Sequence, residues 1–142
     1  VSAPGWGGGC GGSEEETMDA LEIGQRMVAL NREGKTLEAL NTLFDEDAES
    51  VEATGDEQMP REMKGLDAIR KKNEWFYANN EVHGGDIKGP WPNGDRFAVV
   101  FSFDVTPKAG PMAGKRMQME EVGLYTVADG KIVKEEFFYH MG

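Results

Sequence analysis

Glu52, Glu121 and Glu135, together with His83, Tyr125 and Tyr139, supply the side chains from which acid–base chemistry could be assembled in this chain. A glutamate taken out of water among apolar groups becomes harder to ionise, so its pKa climbs toward neutrality, where proton transfer works best. The apolar groups that could do this are Met117, Met119, Phe101 and Phe137, and Trp75 joins Phe101, Met119 and Phe137 as a candidate substrate contact. Phenols at Tyr125 and Tyr139 could donate to a developing oxyanion, and His83 could pass a proton if its face of the strand, shared with Ile87, turns inward. The plain alternative is that a strand glutamate is solvated. In Glu120-Glu121 and in Glu135-Glu136 one acid of each pair must face away from its neighbour, because side chains alternate along a strand.

The elements that must position these groups are legible from periodicity. Between Arg116 and Tyr139 two β-rich runs meet at Asp129-Gly130, a strong hairpin signal. Alternation puts Met117, Met119, Glu121, Gly123, Tyr125 and Val127 on one face of the first run. On the second it groups Val133, Glu135, Phe137 and Tyr139. Upstream, Phe97, Val99, Phe101, Phe103 and Val105 share one face of a further strand, and Val82 to Lys88 reads as a weaker one with Gly84-Gly85 suggesting a bulge or bend. A turn is expected from Gly89 to Gly94, and a loop from Pro107 to Gly114.

Before Glu81 the period is helical. Asp19 with Glu22 forms a capping box ahead of Leu21, Met27, Val28 and Leu30, and Gly34 suits the helix end. Thr36 opens a shorter helix carrying Leu37, Leu40, Leu43 and Phe44, with Asp45-Glu46-Asp47 as its solvated exit. Glu49 to Ala53 is a short β-like run, and Gly55 to Pro60 a polar turn. Gly65 begins a third helix with Leu66, Ile69, Trp75 and Phe76 inward and Arg70-Lys71-Lys72 solvated. The order predicts an α+β domain with helices on one side of a mostly antiparallel sheet. Its outer face keeps Val100, Val122, Leu124, Ile132 and Phe138, enough apolar surface to expect a homodimer through that face.

The totals narrow the function classes. With 142 residues, 39% hydrophobic and 29% charged, the chain has the composition of one globular domain, spanning 18–142. Residues 1–17 read as a flexible glycine-rich, acidic leader, with Met18 a candidate start. Gly7, Gly9 and Gly12 match the dinucleotide-binding glycine pattern but lack its strand and helix. A net charge of −11 disfavours nucleic acid and anionic membranes as partners. The lone Cys10 cannot form an internal disulfide, and a cytoplasmic protein is expected. Two histidines without ligand spacing give no metal site, and no phosphate loop or nucleophile elbow is present, so no cofactor is expected.

Glu46-Asp47-Ala48 before a strand, Gly65-Leu66-Asp67-Ala68-Ile69 at the third helix and Asp129-Gly130-Lys131-Ile132 at the last hairpin, in this element order, resemble the SnoaL-like branch of the nuclear-transport-factor-2-like superfamily. The resemblance spans residues 18 to 140. It implies a cone-shaped, curved sheet wrapped around three N-terminal helices (a cystatin-like roll) and leaving an apolar cavity for a small molecule. Polyketide cyclases and ketosteroid isomerase are among such proteins, as are non-catalytic binding modules. By motif matching Glu52 stands where ketosteroid isomerase carries its aspartate base. Met27 and Gly123 stand where its two oxyanion donors would be, which argues against steroid isomerisation by that mechanism. The sequence therefore supports two readings. One is a cofactor-independent isomerase, cyclase or hydrolase with Glu52 as base and Glu121 and His83 assisting. The other is a module that binds a small ligand, or dimerises, without turnover.

Overall fold

The computed structural model describes residues 18–140; the expected leader, with Cys10, lies outside them. Two helices come first, α1 (Ala20–Arg32) and α2 (Thr36–Leu43), followed by strands β1 (Phe44–Val51) and β2 (Glu62–Lys64). A third helix, α3 (Leu66–Asn79), leads into β3 (Asn80–Asn93), β4 (Arg96–Pro107), β5 (Met117–Ala128) and β6 (Lys131–Phe138). The strands form one open sheet in the order β2-β1-β6-β5-β4-β3. Only the β1–β6 pairing is parallel. The curved, unclosed sheet carries the three helices on its concave side, the α+β architecture expected.

Local chemistry explains the entries and turns. Asp19 Oδ1 accepts from the Glu22 amide at 2.9 Å while Glu22 Oε1 accepts from the Asp19 amide at 3.2 Å, closing the capping box. Such a cap contributes about 1 kcal/mol. The stripe behind it is Ala20, Ile23, Gly24, Met27 and Val28, whereas Leu21 is exposed. Gly24 is a close-approach site: a Cβ there would lie 2.8 Å from Pro90 Cβ and 3.0 Å from Phe97 Cδ1, so only glycine lets α1 settle on β3 and β4. At the last hairpin Asp129 and Gly130 both have positive φ, 51° and 77°, as a two-residue primed turn requires.

Several expectations are corrected. Helix α2 ends at Leu43, and Phe44 begins a strand that already contains Asp45-Glu46-Asp47. Leu37 is exposed rather than in the core. Residues 89–93 continue β3, so the turn falls at Gly94-Asp95. The β2 strand was not expected. On β6 the register slips: Thr126 pairs with Lys134 but Val127 with Ile132, leaving Val133 as the extra residue. Ile132 is consequently buried in the core, not on the outer face. The outer face retains Val122 and Phe138 as exposed apolar groups, joined by Trp91.

Candidate functional site

A cavity of about 950 Å³ lies between the helices and the concave face. Its position follows from patterning. The inward residues of β4 and β5 are fully buried near one end (Phe97, Val99, Tyr125, Val127) but only partly buried at Phe101, Phe103, Met119 and Glu121, where the helices no longer cover them. Phe101 and Phe103 stack with centroids 5.9 Å apart, and Phe76 of α3 leans on Phe103 at 5.3 Å. Gly123 lies beneath the cavity's aromatic wall: a Cβ there would meet Tyr125 Cε1 at 2.9 Å and Phe101 and Phe137 ring atoms at 3.3 Å. Three aromatic rings close over that glycine.

The structure gathers nine of the ten residues singled out from sequence around this cavity. Glu52, Trp75, Phe101, Met119, Glu121, Tyr125, Glu135, Phe137 and Tyr139 all line it. Trp75 does so from an exposed position rather than from the core. His83 is not among them. Val82 pairs with Val105 and Gly84 with Asp104, so one extra residue is accommodated at His83 and the face it shares with Ile87 is lost. His83 is exposed, with Nε2 2.7 Å from Thr106 Oγ1.

Lys72 is the residue that sequence reasoning placed in solvent and the structure places inside. Its side chain is 14% exposed. The ammonium donates to Glu52 Oε2 at 2.5 Å, Ser50 Oγ at 2.6 Å and Glu135 Oε2 at 3.1 Å. It also stands 4.5 Å from the centroid of the Phe137 ring. Ser50, itself fully buried, donates a hydrogen bond to Glu135 Oε2 at 2.7 Å. The second oxygen of Glu52 accepts from Tyr139 at 3.0 Å. The signal for Lys72 was present in its spacing. It lies three residues after Ile69 and four before Phe76, on the face of α3 that turns inward. Ser50 follows likewise from alternation with Ala48 and Glu52.

The electrostatics separate the three acids. Glu52 and Glu135 share the Lys72 charge. Glu121, opposite Phe101 in the β4–β5 ladder, has no hydrogen-bond or ion-pair partner among the described residues. Burial, reinforced by the charge of Glu52 and, more weakly, Glu135, pushes its pKa up to about 7 against the opposing pull of Lys72. Tyr125 is 2% exposed, and its hydroxyl likewise has no partner among the described residues. Burial and then the fields of Glu135, Glu121 and Glu52 hold that phenol well above the ordinary tyrosine range, so it keeps its proton as a donor. Burial also raises Tyr139, with Thr54 opposing and Glu52 adding to the effect. For Lys72 burial opposes the charge, yet Glu135 and Glu52 outweigh it and the pKa is raised. The amine is thus a fixed ammonium, not a nucleophile.

Comparison with known proteins agrees with this architecture. Residues 18–139 match the model of the SnoaL-like domain. A proposed SnoaL-like polyketide cyclase from Mesorhizobium loti is 43% identical, over 83% of this chain and 97% of that one, with a TM-score of 0.76. An NTF2-like protein from Burkholderia thailandensis aligns over 87% and 92% at 17% identity with a TM-score of 0.73. A proposed isomerase from Bacillus subtilis aligns over 85% and 86% at 18% identity with a TM-score of 0.63. The last two show the fold alone. No curated protein matches. Among the described residues no helix is long and apolar enough to cross a membrane.

Proposed function

The chain belongs to the SnoaL-like domain family, and from that premise we propose that its cavity is a cofactor-independent acid–base site for a small, largely apolar carbonyl or hydroxyl compound. The observation that carries this reading is Glu121, an acid on the cavity wall with no hydrogen-bond or ion-pair partner among the described residues and a pKa pushed up to about 7. A group poised there is half ionised at neutral pH and can both take and return a proton. By motif matching Glu52 stands where ketosteroid isomerase carries its base, but Lys72 and Tyr139 engage both its oxygens. The working base is therefore assigned to Glu121, with Glu52 holding Lys72 and Tyr139 in place.

In this scheme the Glu121 carboxylate removes a proton from carbon next to the substrate carbonyl. Electron density moves onto the carbonyl oxygen, which accepts a hydrogen bond from the Tyr125 phenol. The Glu121 acid then returns the proton to the same or another carbon, completing an isomerisation or preparing a ring closure. Phe101, Phe103 and Phe137 provide apolar contact and keep water away from the intermediate.

The test is deuterium exchange into the α-position of 2-tetralone in D2O, followed by proton NMR. The protein should accelerate exchange, with a rate that rises with pH through about 7 as Glu121 ionises. Glu121→Gln should abolish the acceleration, a loss of roughly 100-fold or more for a general base. Exchange that persists in that variant contradicts the assignment. The second reading, a non-catalytic binding module, is favoured by the Lys72 network, which engages both oxygens of Glu52 and one of Glu135. Calorimetric binding of the same ketone with no exchange would select it.

A further inference from the structure

An ammonium has three N–H donors, and all three of those on Lys72 are spoken for by Ser50, Glu52 and Glu135. The network closes on itself: Ser50 accepts from Lys72 and donates to Glu135, while Tyr139 caps the far oxygen of Glu52. Two carboxylates around one ammonium leave a single unit of negative charge fixed beside the cavity. Glu121 faces that charge without joining the network.

We propose that Lys72 is a positioning residue for Glu121: by pairing with Glu52 and Glu135 it leaves Glu121 as the only acid of the three without an ion-pair partner among the described residues, and its charge fixes the field in which Glu121 exchanges a proton. The role in proton exchange rests on the acid–base reading above, whereas the field does not. Glu121 is approached by Glu52 beyond the end of β1, Lys72 from α3, Glu135 from β6 and Tyr125 on its own strand. Strand β4 lines the cavity with Phe101 and Phe103 and α1 with Met27, Asn31 and Arg32, while Asp56, beyond β1, accepts from the Gln58 and Met59 amides. Arg32 and Asp86 pair with each other at 3.9 Å, and Arg32 also donates to the Ile87 carbonyl.

Changing the fixed charge one unit at a time separates this role from a merely structural one. Glu135→Gln makes the network neutral and keeps its shape, so Glu121 should titrate lower. Lys72→Met leaves two uncompensated carboxylates, so Glu121 should titrate higher. The double variant Lys72→Met/Glu135→Gln restores the wild-type net charge and should bring Glu121 back toward its wild-type midpoint. Each single shift should be about one pH unit, as expected for a charge several ångströms away in a medium of intermediate dielectric. The readout is the side-chain carboxyl resonance of Glu121 in protein labelled with 13C at glutamate Cδ, titrated from pH 4 to 10.

The opposite shifts in the two single variants, with reversal in the double, support the field. An unmoved midpoint in Glu135→Gln, the variant that keeps the Lys72 contacts and needs no new packing, overturns it even if Lys72→Met fails to fold. The exchange assay then decides the remainder. If Glu135→Gln shifts the pH–rate profile of 2-tetralone exchange along with the carboxyl midpoint, and Lys72→Met/Glu135→Gln brings both back, Lys72 positions Glu121 for proton transfer. If the carboxyl shifts but the pH–rate profile does not, the positioning role falls. If wild-type protein exchanges no deuterium at all, the acid–base reading and the positioning role fall together, and the charge effect on Glu121 stands alone.

Discussion

Glu135 and Glu121 face the same cavity from adjacent strands, yet they meet opposite fates. Glu135 is 4% exposed and receives hydrogen bonds from Ser50 and Lys72. Glu121 is more open to the cavity but has no partner among the described residues, and its pKa rises to about 7. The difference teaches that depth of burial does not by itself decide what a carboxyl can do. A buried acid whose charge is answered becomes a fixed part of the structure, whereas one whose charge is unanswered becomes a group that titrates near neutrality.

The sharpest way to break the comparison is to remove the answering charge. Lys72→Met should destabilise the fold by about 3–5 kcal/mol, the usual consequence of orphaning one side of a buried ion pair, as read from urea unfolding at neutral pH. A loss below about 1 kcal/mol, the value of a surface pair, would mean that the network is solvated in solution.

The unanswered acid should respond the other way. Its folded-state pKa lies above the ordinary carboxylate value, so between 4.5 and about 7 the folded chain holds a proton that the unfolded chain has lost. Stability from this group is therefore complete at low pH and declines as pH rises through that window. Glu121→Gln removes the decline. It should be stabilising by about 1–3 kcal/mol at pH 8 relative to its effect at pH 4, measured by urea melts at both pH values. That would place Glu121 among groups kept for function at a cost in stability.

Gly123 lies two residues after Glu121 on β5 and pairs with Phe137 of β6. A methyl group there would meet Tyr125 Cε1 at 2.9 Å, and the ring is already packed between Phe97, Phe44 and Phe137. Gly123→Ala should therefore cost about 1–3 kcal/mol through overpacking, seen as a lower urea midpoint. His83→Ala is the smallest expected effect: unfolding free energy within about 0.5 kcal/mol of the parent and unchanged ketone exchange, because the ring bonds Thr106 on the exposed side of β3.

The same contrast explains what could be read from sequence. Alternation along β4 and β5 put Phe101, Met119, Glu121 and Tyr125 on one face, and the structure keeps all four on the cavity wall. The capping box at Asp19 and the Asp129-Gly130 turn were equally legible because each is set by residues within four positions. The misreadings fall where a single residue changes parity. One bulge at His83 and another at Val133 turned His83 outward and Ile132 inward; Gly84-Gly85 signalled an irregularity beside the first but not which residue it would turn, and nothing local marks the second. Lys72 was misplaced for a different reason. Its charge suggested solvent, and the partners that make burial tolerable come from β1 and β6, 20 to 63 residues away. The exposed Val122, Phe138 and Trp91 remain grounds for proposing a homodimer through the outer face, which light scattering at micromolar concentration tests.

The central claim, that Glu121 is the unanswered acid of the cavity, is tested most directly by its own titration in the unmodified protein. Followed through its 13Cδ resonance, the Glu121 carboxyl should titrate with a midpoint near 7. A midpoint between about 4 and 5, the range of a solvated glutamate, would contradict the account.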